Sequence, residues 1–414
     1  AEAMLLARRW SQVAAVLFAV GAVTGTVLSF EMGLLWPGLM RTYGSAYGIP
    51  FAVEGIFFFL EAIFIAIYIY GWKRLRPWPH FWTGLPVVIA GIGGTLSVVA
   101  ANSGRNLRGG FTLRDGRVTS VRPLAVFFNR AFWYESIHML LAAYIVAGFL
   151  TASVYAVAMR RGRRDRYHRL GFIVPFTVAA VVMPFEILVG DSIARTVFKH
   201  ETAKFAAMEL VTRTGSHVPE TIGGILVDGK VRYGIHVPGL ASLLAGYSTK
   251  TTITGLDAIP PADRAPASIV HLAFDVMVGT AFVLLGLALW FAIVWWRRRA
   301  VPEGPWFLRA ASVAGLVSVV TLEAGWTVTE VGRQPWIVHG FLRTADAVTK
   351  AGDIWLLVGV TVVLYAAVGT AAVLVIRGMT RRWRRAQDET FDVPYGPDSG
   401  TTLEEAVPEI APAP

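Results

Sequence analysis

Eight runs of apolar residues, each long enough to cross a lipid bilayer, constrain this chain more than any other feature of its sequence. The hydrocarbon core of a bilayer is about 30 Å thick and takes about 20 apolar residues to span as a helix. Lipid offers a backbone no hydrogen-bond partners, so separate apolar runs must cross it as α-helices. The predicted spans are residues 11–32, 51–72, 82–101, 136–159, 170–190, 268–296, 308–330 and 353–376.

The composition agrees with an integral membrane protein. Hydrophobic residues make up 55% of the 414 residues and charged residues 16%, and the mean hydropathy is +0.54. These values exclude an ordinary soluble domain. We therefore predict an all-α membrane protein, a bundle of about eight transmembrane helices with one long outward loop.

The positive charge is concentrated in short connections between the spans. The formal net charge is +10, but the basic clusters alternate along the chain, so the positive-inside rule places them all on the cytoplasmic side. They do not indicate nucleic-acid binding. The clusters occupy residues 71–78, 159–169, 295–300 and 381–385, and the connections predicted to face outward are 33–50, 102–135, 191–267 and 331–352.

The predicted organisation has four parts. Residues 1–190 hold the first five spans, 191–267 form the long outward segment, 268–376 hold the last three spans, and 377–414 form an acidic, Pro-rich, disordered cytoplasmic tail. Asp228-Gly229 predicts a short β-hairpin within the outward segment. Residues 1–10 resemble the end of an earlier helix, so we expect the chain to begin partway through a longer protein.

The absence of cysteine limits the available redox chemistry. With no cysteine, disulfides, cysteine-ligated iron–sulfur clusters and covalent c-type haem are excluded. Any redox centre must use histidine, methionine or carboxylate ligands.

Ionisable residues within the spans are candidate functional groups because lipid makes them costly. Glu54 and Glu61 are seven residues apart on one helical face, about 10 Å along the axis. They can pass protons or can be neutral acids that bond to neighbouring helices. Glu186 and Glu323 are also embedded, and their spacing does not separate structure from function.

Histidine and methionine side chains near the outer ends of the spans are candidate ligands. Alone, His138 is typical of an interhelical hydrogen bond and Met277 of packing, but together they can form the axial pair of a low-spin haem. His271 and Asp275, four residues apart, favour a hydrogen-bonded pair over a metal site because no third ligand is apparent.

The end of the seventh span combines acidic, aromatic and basic residues. Glu323, Trp326 and Glu330 share one helix face, and Arg333 follows. The spacing is compatible with an interfacial cap. It is equally compatible with a haem site in which Glu330 binds iron and Arg333 holds a propionate.

Five motifs in order resemble subunit I of the cytochrome bd-type quinol oxidases, over residues 7–376. They are "PFAVEGIFFFLEAIFIAIYIYGWKRL" (50–75), "SIHMLLAAYIVAGF" (136–149), "AKFAAMEL" (203–210), "AFDVMVG" (273–279) and "EAGW" with "GRQPW" (323–336). The resemblance implies an electrogenic terminal oxidase in the bacterial cytoplasmic (inner) membrane. Such an enzyme oxidises quinol at the outer face and reduces oxygen to water with cytoplasmic protons.

Residue roles follow from the resemblance position by position. His138 and Met277 would ligate a low-spin haem b, Glu330 would ligate a high-spin haem b, and Arg333 would help to hold that group. The resemblance also implies roles for five other residues: Trp326 in electron transfer between haems, Glu54 and Glu61 in proton supply, and Lys204 and Glu209 in quinol binding.

Further cofactors and partners are implied in the same way. A third haem, haem d or a further haem b, would bind oxygen, and a subunit II and a small single-helix subunit would accompany the chain. The resemblance also implies an earlier helix with a histidine ligand for the oxygen-reducing haem. No histidine of this sequence takes that role, so we expect upstream residues or another chain to supply it.

Other departures from the family pattern concern the outer surface. Residues 100–110 lack a Trp-Met-rich stretch, and Asp275 stands where some members have arginine. The short quinol loop resembles that of the cyanide-insensitive branch. Two alternatives remain open here: an ion-conducting transporter subunit without haem, and a haem-binding paralogue without catalytic activity.

Overall fold

The computed structural model describes residues 2–114 and 117–385. Among these residues, eight helices are long and apolar enough to cross a membrane, as predicted. The α-helices are α1 Glu2–Leu35, α2 Pro37–Gly71, α3 Pro77–Asn106, α4 Pro123–Phe127, α5 Phe132–Arg160, α6 Arg166–His200, α7 Thr202–Met208, α8 Leu240–Gly246, α9 Ala267–Arg298, α10 Pro305–Gly332, α11 Thr344–Ala347 and α12 Ile354–Arg385.

Several helices extend beyond the apolar runs that predicted them. The connection expected over 33–50 is wrong, because only Trp36 separates α1 from α2 and residues 37–50 are helical. Hydropathy locates the part of a helix that lies in lipid, and α2, with 35 residues, is about 50 Å long. Similarly, α6 continues to His200 and α12 to Arg385. The rest of the predicted tail, 386–414, lies outside the described residues.

Short antiparallel strand pairs occupy the loops. The strands are β1 Thr112–Arg114, β2 Arg117–Thr119, β3 Glu220–Ile222, β4 Ile225–Val227, β5 Lys230–Arg232, β6 Ile235–Val237, β7 Trp336–Val338 and β8 Leu342–Arg343. Their pairs are β1–β2, β3–β6, β4–β5 and β7–β8. The hairpin predicted at Asp228-Gly229 is confirmed: Val227 pairs with Lys230 across a two-residue turn in which both residues have positive φ.

The described residues form two compact units. One comprises the described parts of 1–41, 51–94 and 348–414, and the other comprises 42–50 and 95–347 apart from the undescribed pair 115–116. In the first unit α1 packs against α12, where Tyr365 donates a hydrogen bond to the Thr24 carbonyl over 3.0 Å. Thr361 donates to the buried Glu31 carboxylate.

The second unit is built around a bundle of α5, α6, α9 and α10. Its core contains fully buried aromatic rings, with Phe176 5.1 Å from Phe172, 5.3 Å from Phe149 and 5.5 Å from Phe307 between ring centroids. Gly148 of α5 lets α6 approach closely, since a Cβ at this position would lie 2.6 Å from the Pro175 carbonyl oxygen. Close backbone approach at small residues is a common way to pack membrane helices.

Contacts between helix ends and loops assign the two ends of this bundle. Arg169, just after the start of α6, pairs with Glu303 in the α9–α10 connection over 2.8 Å between Nε and Oε1. These two basic connections therefore share one end. At the other end, the His339 amide donates to the Arg105 carbonyl over 3.0 Å. The alternation of loops inferred from charge is thus reproduced within this unit.

The close approach at Gly148 generates a stability prediction. Gly148→Ala should lower the midpoint of thermal unfolding of the detergent-solubilised protein, because the added methyl would overpack the α5–α6 contact at a cost of about 1–3 kcal/mol. Gly286→Ala in α9 is the matched control, because nothing lies within 4 Å of a Cβ there. Equal midpoints for the two variants would contradict the packing.

Candidate functional site

Arg333, at the end of α10, is the largest fully buried side chain among the described residues and is 2% exposed. Its Nη1 donates to Asn106 Oδ1 over 3.0 Å and to Asn102 Oδ1 over 3.3 Å, and its Nη2 pairs with Glu330. Its Nε is buried and has no hydrogen-bond partner among the described residues. The guanidinium therefore keeps one N–H available for a further acceptor.

A second arginine and a second carboxylate complete this cluster. Arg105 Nη2 lies 3.6 Å from Glu330 Oε1 and donates to Asn102 Oδ1 over 3.0 Å. The side-chain amides of Asn102 and Asn106 each donate to one oxygen of Glu135 over 2.9 Å. The network joins α3, α5 and α10 and balances two guanidiniums against two carboxylates, which reduces the cost of burying them.

The residues after Arg333 form a tight turn into a hairpin. The Trp336 amide donates to the Arg333 carbonyl over 3.0 Å, and Trp336 begins β7. The Arg343 guanidinium lies 4.7 Å from the centroid of the Trp336 ring, a cation–π contact. Gly332 packs closely against Lys204, since a Cβ there would lie 3.0 Å from Lys204 Cγ. The G-R-Q-P-W segment therefore ends the helix and holds Arg333 in place.

His138 and Met277 lie on α5 and α9 of the bundle, and each faces a glycine of a neighbouring helix. His138 Nδ1 is 2.9 Å from Glu186 Oε1 of α6, although the two atoms are not aligned for a hydrogen bond. A Cβ on Gly190 would be 3.9 Å from His138 Cε1, and one on Gly325 would be 3.1 Å from Met277 Sδ. A histidine with one ring nitrogen beside a carboxylate is typical of metal-binding histidines.

The two residues assigned together to quinol binding face different clusters. Lys204 of α7 pairs with Glu201, and both side chains are only 5% exposed. His339 lies in the same neighbourhood: burial lowers its pKa, Glu201 raises it, and Lys204 and Arg333 lower it further. Lys204 therefore lies in the cluster around Arg333.

Glu209 instead faces Glu220 of β3 and Asp275 of α9. Burial raises the pKa of Glu209 well above its usual range, and the Glu220 carboxyl and the Asp275 charge raise it further. His271, which is fully buried, anchors this cluster through Nδ1, 2.6 Å from the Met208 carbonyl. The His271–Asp275 pair favoured from spacing is close, with 3.4 Å between His271 Nε2 and Asp275 Oδ2, but the hydrogen bonds of these two atoms go to the Gly223 backbone instead of to each other.

The other predicted residues lie on α2 and α10. Glu54 and Glu61 are half-buried on α2 in the first unit, and Gly91 of α3 leaves room beside Glu61, since a Cβ there would lie 3.5 Å from Glu61 Oε1. On α10, Trp326 is half-buried and Glu323 is exposed.

Sequence reasoning missed seven polar residues of these clusters: Asn102, Arg105, Asn106, Glu135, Glu201, Glu220 and His339. Glu135, three residues before His138 on α5, lies one turn from a candidate ligand, and this spacing was a usable signal. Nothing in the sequence around Glu220 indicates that it meets Glu209.

Comparison with known proteins gives a consistent result. The family model for cytochrome bd terminal oxidase subunit I matches residues 1–383. A Bacillus subtilis (strain 168) protein provisionally named cytochrome bd menaquinol oxidase subunit I is 32% identical, covering 90% of this chain and 85% of its own. Cytochrome bd ubiquinol oxidase subunit 1 of the same organism is 28% identical, covering 95% and 87%.

A solved structure agrees in fold as well as in sequence. The bd oxidase from Geobacillus thermodenitrificans is 32% identical with a TM-score of 0.86, covering 92% of this chain and 88% of that one. Together with the match of the family model over most of the chain, this means that the chain belongs to the cytochrome bd terminal oxidase subunit I family.

Proposed function

We propose that this chain is the haem-bearing subunit in which quinol is oxidised at the loop 201–266 and oxygen is reduced with protons drawn from the cytoplasm. Membership of the family makes the chain a subunit of a quinol:oxygen oxidoreductase. The observation that carries the finer proposal is the pairing of Glu330 with Arg333, because the Glu330 side chain is 43% exposed while that of Arg333 is 1% exposed.

Glu330 and Arg333 would hold the high-spin haem b. A carboxylate that is partly open can offer an oxygen to iron, and the unpartnered Nε of Arg333 suits a propionate. When bound, haem supplies electron transfer and oxygen chemistry that no side chain of this protein can perform. The part left to the protein is to keep both residues oriented through Asn102, Asn106 and Arg105.

His138 and Met277 would hold the low-spin haem b. Glu186 beside Nδ1 leaves the other ring nitrogen of His138 for iron, and Gly190 and Gly325 leave space beside the two ligands. A His/Met pair of axial ligands raises the reduction potential of a haem relative to other axial ligand pairs. Trp326, on the same helix as Glu330, would lie in the path of electrons between haems.

Glu209 and Lys204 would serve quinol in different ways. Glu209 belongs to a carboxyl cluster of raised pKa and suits the removal of a proton from a quinol hydroxyl. Lys204 packs on Gly332 beside Arg333 and suits a position between quinol and the haem-binding residues. Proton release from the loop would be outward, in keeping with the basic connections at the opposite end of the bundle.

Glu54 and Glu61 would supply cytoplasmic protons for oxygen reduction. Uptake on one side and release on the other makes the reaction electrogenic without a separate pump. A third haem, haem d or a further haem b, would complete the oxygen site. Subunit II and a small single-helix subunit would cover part of the many exposed apolar side chains, and the assembly would lie in a bacterial cytoplasmic membrane.

The low-spin ligand is tested by His138→Ala in the assembled oxidase. The low-spin b band should disappear from the reduced-minus-oxidised spectrum, because iron loses an axial ligand. His200→Ala is the control, since His200 is exposed at the end of α6. An unchanged spectrum in His138→Ala would remove this residue from the ligand set.

Arg333→Lys tests the haem-holding role of the buried guanidinium. Lysine keeps the charge but cannot bond at once to Glu330, both asparagines and a propionate. Loss of one charged hydrogen bond costs about 1.5–3 kcal/mol, so we expect high-spin haem content or turnover to fall about tenfold or more. Arg108→Lys, at a residue that stacks on Phe341 3.7 Å away, is the control. Wild-type haem content and turnover would contradict the role.

Glu209→Gln tests the quinol site. The isosteric amide cannot take a proton, so quinol-dependent oxygen uptake should fall on the order of a hundredfold while haem content stays intact. Asp228→Asn removes an exposed carboxylate from the same loop, and asparagine tolerates the positive φ there. Full turnover in Glu209→Gln would exclude Glu209 from the reaction.

A further inference from the structure

We propose that Glu220 is a positioning residue for quinol oxidation: it shares one proton with Glu209 and thereby holds that carboxyl as the acceptor of quinol protons. The inference rests on the proposed quinol site at Glu209 and adds a residue to it.

The two carboxyl groups meet across the loop. Glu209 directly follows α7, and Glu220 begins β3, where it pairs with Val237 of β6. Their side chains hydrogen-bond to each other. The Oε2 of each is buried and receives no N–H or O–H from the described part of the chain. Ionised carboxylates only accept, so the contact requires that one of the two acids carries a proton.

α9 holds both carboxyl groups in position through His271. Its Nδ1 lies 2.6 Å from the carbonyl of Met208, immediately before Glu209. Its Nε2 lies 2.9 Å from the carbonyl of Gly223, three residues after Glu220. Each ring nitrogen lies within hydrogen-bonding distance of a backbone carbonyl. One imidazole thus bridges the segments that carry the two acids.

Asp275, one turn after His271 on α9, contacts the same loop segment that follows Glu220. Its Oδ2 accepts the Gly223 amide over 2.5 Å and lies 3.4 Å from His271 Nε2. Gly223 and the following Gly224 have φ of +65° and +98°, a region that glycine adopts without strain. The bend of the loop just after β3 is therefore held by a hydrogen bond to α9, the helix that also carries His271.

Burial and the neighbouring charges raise the proton affinity of both carboxyl groups. Burial, the Glu220 charge, the hydrogen bond from Glu220 and the Asp275 charge all raise the pKa of Glu209. Burial and Asp275 also raise the pKa of Glu220, whereas its hydrogen bond with Glu209 and the charge of His271 lower it. Both carboxyl groups therefore hold a proton more tightly than a solvated carboxyl does, which suits a pair that carries one proton between them.

This arrangement matches the proton chemistry of quinol oxidation. Oxidising one quinol breaks two O–H bonds and releases two electrons, which the oxidase passes to oxygen, and two protons. A carboxylate takes up a proton from so weak an acid more readily when its pKa lies near the working pH. The pair first loses its shared proton to water through the half-buried Glu220, and the free carboxylate of Glu209 then takes a proton from quinol. The same cycle repeats for the second proton.

The test is the pH profile of kcat/KM for quinol in the complete oxidase with Glu220→Gln. Without the Glu220 carboxylate the pKa of Glu209 falls, so the acidic limb of the profile should move to lower pH. kcat at neutral pH should fall less than in Glu209→Gln, and KM should stay unchanged. Infrared titration of the protonated carboxyl band, assigned by its loss in Glu209→Gln, should shift in the same direction.

Controls separate this inference from the proposed function. Asp228→Asn should leave the profile and the infrared titration unchanged, and Glu220→Asp, which retains an acid if Glu220→Gln assembles poorly, should keep the acidic limb near its wild-type position. An unchanged limb in Glu220→Gln, or a limb displaced equally in Glu220→Asp and Glu220→Gln, would overturn the inference. Full turnover in Glu209→Gln would instead overturn the quinol site itself.

Discussion

Lipid supplies no hydrogen-bond partners, and this constraint underlies the rest of the structure. It forces the apolar runs into helices, and it also favours partners within the protein for embedded polar groups. Glu31 is bonded by Thr361, and Glu330 is held between Arg105 and Arg333. The polar groups of the bundle are therefore gathered into clusters, which is the arrangement a cofactor site needs.

Two of these clusters flank the short helix α7. Lys204 projects toward Glu201 and the Arg333 network, while Glu209, one residue beyond the helix, faces Glu220 and Asp275. The sequence motif that carries both residues thus serves two environments, one rich in cations and one rich in carboxyl groups.

Some parts of the fold follow from local sequence and others do not. The eight spans depend on the length of apolar runs, and the hairpin at Asp228-Gly229 depends on a two-residue turn, so both were predictable. The connection at 33–50 was not, because residues such as Arg41 and Ser45 are polar and yet lie in α2. Polar residues show where a span leaves the lipid. A helix, however, continues as long as its backbone hydrogen bonds continue.

The sequence by itself determined the membrane class, the alternation of its loops and the identity of the main candidate residues, including His138, Met277, Glu330 and Arg333. These depend on composition, charge order and motifs, which are properties of the chain in one dimension. Only the tertiary structure decided the partners: Asn102 and Asn106 for Arg333, Glu186 for His138 and Glu220 for Glu209. Partners distant in sequence meet because helices pack, and no local pattern encodes which helices will face each other.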